Sequence, residues 1–206
     1  MNKDRILEII KTLKKEAKER KFDESVDLII NLKNFDVKKD SINIIINFPY
    51  AIKKPKVFAI LNKKTSIIDS ITKEDLNKYN DKKIIKKLVK SYDFFIVSNN
   101  LMPLVATKLG KFLGQAGKMP SPQLGITTNE TEEEIKKILS LMERSVRIKS
   151  KEPSLKFVVG KRSMKDEEIA ENIIKAINVI KEILPKKEQN IKNILIKLTM
   201  SKPIKL

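Results

Sequence analysis

Chemistry in a protein chain needs side chains or backbone that can bind anions, hold metals or move protons. The first candidate here is "LGKFLGQAGKMPSPQLG", residues 109–125, which contains four of the chain's five glycines and two of its eight prolines. Glycine lets backbone N–H groups approach an anion closely, so a phosphate-binding loop is the first chemistry to test. The spacing excludes it. The loop of nucleotide hydrolases needs a glycine five positions before Gly117 and a hydroxyl residue after Lys118, where Phe112 and Met119 stand. No GxGxxG fingerprint of dinucleotide binding occurs either. "GQAG" at 114–117 matches the GxxG clamp of KH domains, but that clamp runs straight into a helix, whereas Pro120 and Pro122 follow here.

Acid–base chemistry has little to work with. The chain has no histidine and no cysteine, so the commonest proton carrier, the commonest metal ligand, thiolate metal sites and disulfides are all excluded. Asp, Glu, Lys, Ser and Thr remain, and no spacing of these matches a catalytic motif. Forty-four Lys plus Arg against 26 Asp plus Glu give a net charge of +18, a field that attracts polyanions such as nucleic acid or an anionic membrane surface. No apolar run reaches the roughly 18–20 residues of a membrane span, and "MNKDRILEIIKTLKK" reads as a first helix rather than a secretion signal. A cytoplasmic protein is expected.

The elements that must position such a surface follow from periodicity. Ile6, Ile10, Leu13 and Ala17 form one stripe over residues 4–20, predicting an amphipathic helix packed on its own domain. Val26, Leu28, Ile30 and Leu32, then Ile42, Ile44, Ile46 and Phe48, alternate as strands of a sheet with one covered face. "FPYAIKKPK", 48–56, reads as a linker because Pro49 and Pro55 lack backbone donors. The pattern then changes to strands at 57–61 and 92–98, a helix from Thr72 to Lys90, a short helix after Met102, and a helix at "TEEEIKKILSLME" with capping-box spacing between Thr131 and Glu134. Unbroken apolar strands between helices predict a parallel sheet covered on both sides. After Arg144, "SVRIKS" and "LKFVVG" are strands, Asp166 to Leu184 a helix, and "NILIKLTM", 193–200, a last strand.

The chain therefore begins and ends in one style. This predicts an α/β protein of two domains. Residues 1–50 and 144–206 would make a discontinuous α+β domain, a split β-α-β sheet with helices on one face. Residues 51–143 would make an inserted three-layer α/β domain, joined through two closely spaced chain segments that suit a hinge. Basic residues exceed acidic ones by 27 to 16 in the outer segments and by 17 to 10 in the insert, so charge alone does not choose the binding domain. Lys82, Lys83, Lys86, Lys87 and Lys90 form a basic stripe at helical spacing, a solvated face first and a backbone contact with nucleic acid, as a secondary RNA contact, second.

Taken whole, "LMPLVATKLGKFLGQAGKMPSP", 101–122, resembles the signature of the L-one family of large-subunit ribosomal proteins, in its archaeal and eukaryotic form. Gly110, Leu113, Gly114, Gly117, Lys118, Met119, Pro120 and Pro122 agree with it, while Gln115 and Ala116 replace a Pro-Arg pair. "RKFDESVDLIINLK" and "IKLTMSKPIKL" look like the family's opening and closing strands. The resemblance implies that the insert, residues 51–143, is a Rossmann-like three-layer α/β domain, and that the chain is a structural ribosomal protein, not an enzyme, without cofactor or metal. It would bind large-subunit rRNA at the mobile stalk, assist release of deacylated tRNA from the exit site, and repress translation by binding its own mRNA. It would be a monomer outside the ribosome, with no membrane contact.

Carried over residue by residue, the RNA-binding set is Lys21 and Phe22 at the entry to the first strand, and Thr199, Met200, Ser201 and Lys202 at the end of the chain. Ser201 stands where the family has glycine, and Lys202 fits a phosphate contact. Phe22 is read either as an apolar surface for a sugar or base or as core. Thr199 and neighbouring backbone would address ribose 2′-hydroxyls from the terminal strand. The hinge would lie at Pro49, Tyr50, Ala51 and Arg144, the first three standing in place of the family's Pro-His-Gly. A nucleotide-dependent enzyme built on the α/β insert is the alternative reading.

Overall fold

The computed structural model describes residues 3–76, 81–150 and 152–206. In chain order the elements are α1 (Lys3–Glu16), β1 (Ser25–Leu32), β2 (Asn43–Asn47), β3 (Val57–Ile60), β4 (Asp69–Ile71), α2 (Lys73–Leu76), α3 (Lys82–Ser91), β5 (Phe94–Ser98), α4 (Met102–Ala116), β6 (Ile126–Thr127), α5 (Glu132–Glu143), β7 (Ser145–Lys149), β8 (Ser154–Lys161), α6 (Asp166–Ile183), β9 (Ile191–Leu198) and β10 (Ile204–Lys205). They form two compact units, residues 1–53 with 144–206 and residues 54–143.

In the first unit, alternation along β1 buries Val26, Leu28, Ile30 and Leu32 and turns Ser25, Asp27, Ile29 and Asn31 to the other face. The buried row joins Ile6, Ile10 and Leu13 of α1 and Ile169, Ile173, Ile177 and Ile180 of α6 in one core. The sheet order is β10-β9-β1-β8, antiparallel throughout, so the first strand lies between two strands from the far end of the chain. The strand of 42–48 does not extend this sheet as its alternation suggested: β2 pairs with β7 in a separate two-stranded ribbon. Alternation reports which face is covered, not which strand is the neighbour.

This unit reaches Lys53, three residues beyond the boundary expected at Tyr50, because Ile52 is buried in its core. Tyr50 is also fixed to α6: its N–H donates to Asn172 Oδ1 at 3.2 Å, and Asn172 Nδ2 donates to its carbonyl at 3.3 Å. Residues 48–53 are thus held chain rather than free linker.

The second unit has a four-stranded parallel sheet ordered β4-β3-β5-β6, which changes direction between β3 and β5. The strand β4 and the short β6 carry too few alternating residues to have been expected. The helix expected over Thr72–Lys90 is α2 and α3 instead; residues 77–80 within it lie outside the described residues. Asp81 caps α3, its carboxylate accepting from Lys83 N at 2.8 Å.

The helix after Met102 is long, not short, and Gly110 and Gly114 lie inside it rather than in a turn. The helix ends and the chain first reverses at Gly117, where φ is 68° and a Schellman closure forms, Gly117 N to Gly114 O at 3.0 Å and Lys118 N to Leu113 O at 2.8 Å. Lys118 Nζ then donates to the carbonyls of Val89 and Tyr92, both at 2.7 Å, and so closes the end of α3. Gly125 is required more strictly, because φ is +106° and an added Cβ would stand 2.5 Å from Phe95 O.

These environments predict opposite outcomes for two glycines. Gly125→Ala should destabilise the protein by more than about 2 kcal/mol through strain and backbone collision. Gly110→Ala, with nothing within 4 Å of the new methyl, should stabilise it by about 0.5–1 kcal/mol by restraining the unfolded chain. Urea unfolding of both variants measures the difference.

Candidate nucleic-acid interface

The antiparallel register gathers three chain segments at one end of the first unit's sheet. Ser25 pairs with Lys161, and Val26 with Leu198, so the entry to β1, the exit of β8 and the exit of β9 are neighbours. Residues from both chain extremities are hydrogen-bonded there: Ser25 N–H donates to Thr199 Oγ1 at 3.0 Å, and Thr199 N–H donates to Ser25 O at 3.1 Å.

Thr199 and Met200 were expected on the terminal strand. They occupy the turn beyond it, because Ser201 N–H donates to Leu198 O at 3.1 Å and closes a four-residue reversal. Ser201 Oγ accepts from Leu198 N–H at 2.8 Å, locking the same turn from the other side. Its φ is not in the left-handed region, so serine serves where the family has glycine, and its hydroxyl is engaged in the turn. The reversal leads into β10, which pairs Ile204 with Ile196 and Lys205 with Leu195.

At the other lip, Lys21 and Phe22 lie in an irregular stretch made rigid just beyond it. Asp23 accepts from Ser163 N–H at 3.1 Å and from Ser163 Oγ at 2.8 Å, and Lys161 Nζ donates to the Asp23 carbonyl at 3.2 Å. Glu24 is only 1% exposed and is flanked by Arg20 Nε at 3.4 Å and Arg162 Nη1 at 3.9 Å. Arg162 also donates to the carbonyls of Lys18 and Ala17, beyond the end of α1. With its neighbours pinned inward, Phe22 projects to solvent at 53% exposure, and Met200 does so at 59%. The core alternative for Phe22 is therefore excluded. Lys21 and Lys202 are exposed.

The outer face of the sheet adds residues that periodicity did not single out. Directly opposed residues share a face, so Ser25, Asp27, Ile29 and Asn31 of β1 stand with Asn193, Leu195 and Lys197 of β9 and with Ser154, Lys156, Val158 and Lys161 of β8. A polar rung crosses three strands: Asn31 Nδ2 donates to Asn193 Oδ1 at 2.7 Å, and Ser154 Oγ donates to Asn31 Oδ1 at 2.8 Å. Burial pushes the Asp27 carboxyl above its ordinary value, with Lys197 and then Lys161 pulling it partly back. The polar positions in the alternation were visible in the sequence; which of them would stand side by side was not.

The remaining expected residues lie elsewhere. Lys82, Lys83, Lys86, Lys87 and Lys90 are exposed on α3 in the second unit, while Ile85 and Val89 are buried. None of the five lysines forms a salt bridge among the described residues. Pro49, Tyr50 and Ala51 follow β2, and Arg144 accepts at its carbonyl from Phe48 N–H at 2.8 Å, extending the β2–β7 ribbon. Among the described residues no group of His, Cys, Asp and Glu is arranged to hold a metal ion, and no helix is long and apolar enough to cross a membrane.

The profile of the Ribosomal protein L1p/L10e family matches residues 13–202, which takes in both lips of this site and the glycine segment. The chain belongs to that family. It is similar to the large ribosomal subunit protein uL1 of Thermofilum pendens, 38% identical over 203 residues that cover 92% of this chain and 86% of the relative. It is also similar to uL1 of Nanoarchaeum equitans, 34% identical with 93% and 95% covered, and to uL1 of Methanobrevibacter smithii, 32% identical with 95% of each covered. The L1 family is one of structural ribosomal proteins, not enzymes, which removes the nucleotide-dependent enzyme as a reading of the α/β unit.

The Asp27 environment gives a pH test. Its folded pKa lies above the unfolded 3.8, so protonation favours the folded state. The stability this confers is complete below 3.8 and is lost as pH rises through the folded value. Asp27→Asn should therefore gain stability relative to the parent across that rise, as read by urea unfolding at a series of pH values.

Proposed function

We propose that this chain is a structural constituent of the large ribosomal subunit, working in the cytoplasm, whose discontinuous unit grips rRNA at the mobile stalk. The carrying observation is the pairing of Ser25 with Thr199, which sets two solvent-facing apolar side chains, Phe22 and Met200, on the lips of one basic, open-faced sheet. Exposed large apolar groups on a rigid frame suit stacking on a sugar or base, and the lysines suit phosphates. Asn193, Asn31, Ser154 and the Thr199 hydroxyl offer neutral donors and acceptors for ribose 2′-hydroxyls, the groups by which RNA differs from DNA. Recognition is then by contour more than by base sequence.

The L1 resemblance supports the finer roles. The inserted Rossmann-like unit accompanies deacylated tRNA leaving the exit site, with the α3 lysines as a second RNA contact. The same rRNA-gripping surface represses translation by binding a similar fold in the chain's own mRNA, and the protein is a monomer outside the ribosome. Hinge motion belongs at Lys53–Lys54 and Glu143–Arg144, since Asn172 holds Tyr50 to α6.

Sedimentation with ribosomal subunits after a high-salt wash should leave the protein on the large subunit; its release, or retention on the small subunit, contradicts the reading. Thr199→Ala combined with Met200→Ala should weaken binding to a stalk rRNA fragment about tenfold or more, and unchanged affinity removes these residues from the site. Lys202→Ala should reduce the slope of log affinity against log salt by about 0.7–0.9, measured by filter binding over a salt series.

A further inference from the structure

In open α/β sheets, ligands bind beyond the carboxyl ends of the strands, at the point where strand order changes direction. In the second unit that point lies between β3 and β5, where the chain leaves β3 through Leu61, Asn62 and Lys63 and ends β5 at Ser98. The crevice is already filled. Asn62 N–H donates to both carboxylate oxygens of Glu130, at 3.1 and 3.0 Å, and Lys63 N–H donates to Oε2 at 3.2 Å. The Asn62 side-chain amide donates to Oε1 at 2.5 Å and to Ser98 Oγ at 3.2 Å, which brings the Ser98 hydroxyl, on a residue only 3% exposed, into the same cluster.

Successive backbone N–H groups, reinforced by an amide and a buried hydroxyl, are how proteins hold phosphate oxygens. Here they converge on a side chain from the loop before α5. Burial pushes the Glu130 carboxyl up, but the bonds from the Asn62 backbone, Ser98, the Lys63 backbone and the Asn62 amide outweigh it and hold the group below its ordinary value. The carboxylate stays charged at neutral pH.

We propose that the crevice between β3 and β5 is an oxyanion cradle of the phosphate-binding kind, kept shut by Glu130 of the same chain as its resident ligand. Glu130 does the bridging work that a bound phosphate does in ligand-binding relatives of this sheet type: it ties the loop after β3 to the loop before α5. The missing glycine fingerprint is consistent with this, since a side chain needs less room than a nucleotide. The inference lies wholly within the second unit and is independent of the RNA reading, so either can fail alone.

The test is inorganic phosphate titrated into the full chain and its Glu130→Ala variant, following the amide signals of Asn62 and Lys63 by ¹⁵N NMR. The variant should show saturable shifts with an apparent affinity at least about tenfold above the parent, and adding Ser98→Ala should weaken them. Equal shifts in the parent overturn the proposal, as does a folded variant with no saturable shift. Glu130→Gln keeps the size while removing the charge, and covers the case in which the alanine variant does not fold. It should show the same shifts at intermediate affinity, and a response as flat as the parent's overturns the proposal.

Discussion

The structure of the first unit depends on β1 being paired on both edges by strands from the other end of the chain. Residues 25–32 are hydrogen-bonded along β8 on one side and along β9 on the other. Antiparallel pairing satisfies the strand's backbone donors and acceptors, and its period of two sends Val26, Leu28, Ile30 and Leu32 into the α1–α6 core. The opposite face is left open by the same alternation. The register then brings Ser25, Lys161 and Leu198 to one end, so the loops that follow have no freedom to lie apart. The candidate interface is a consequence of strand pairing before it is a matter of particular side chains.

Positioning at that end relies on polar and charged groups turned inward. Asp23 is held by Ser163, Glu24 is buried between Arg20 and Arg162, and Ser201 closes the turn that carries Thr199 and Met200. Each such contact restricts a loop that would otherwise sample many conformations, which lowers the ordering cost of binding a partner. Phe22 and Met200 stay exposed despite the loss of favourable burial, an arrangement that makes sense when a ligand surface covers them.

The second unit solves a different problem with the same economy of means. A parallel sheet leaves backbone donors beyond its carboxyl ends, and in this chain Asn62 and Lys63 spend theirs on Glu130, while the Asn62 amide reaches both the carboxylate and Ser98 Oγ. Gly117 and Gly125 make the turns between helix and sheet, while Lys118 fastens α4's exit to the end of α3. The glycine-rich stretch is therefore accounted for by chain reversal at two positions. The other two glycines lie in the helix with open space around them.

The sequence by itself determined what is local or compositional. The stripes of α1 and α6, the alternation of β1, the lack of histidine and cysteine, the excess of lysine and the L1 signature around Gly117 and Lys118 were all legible from order and spacing. What only the tertiary structure decided was companionship: that β2 leaves the main sheet for β7, that Phe22 faces solvent, that Thr199 sits in a turn beside Ser25, that Asn31 bridges Asn193 and Ser154, and that Glu130 fills the crevice beside Asn62. Periodicity is fixed by the geometry of one segment, whereas a neighbour is chosen by competition among all segments for the same core and the same hydrogen bonds, and that competition is resolved only when the chain has folded.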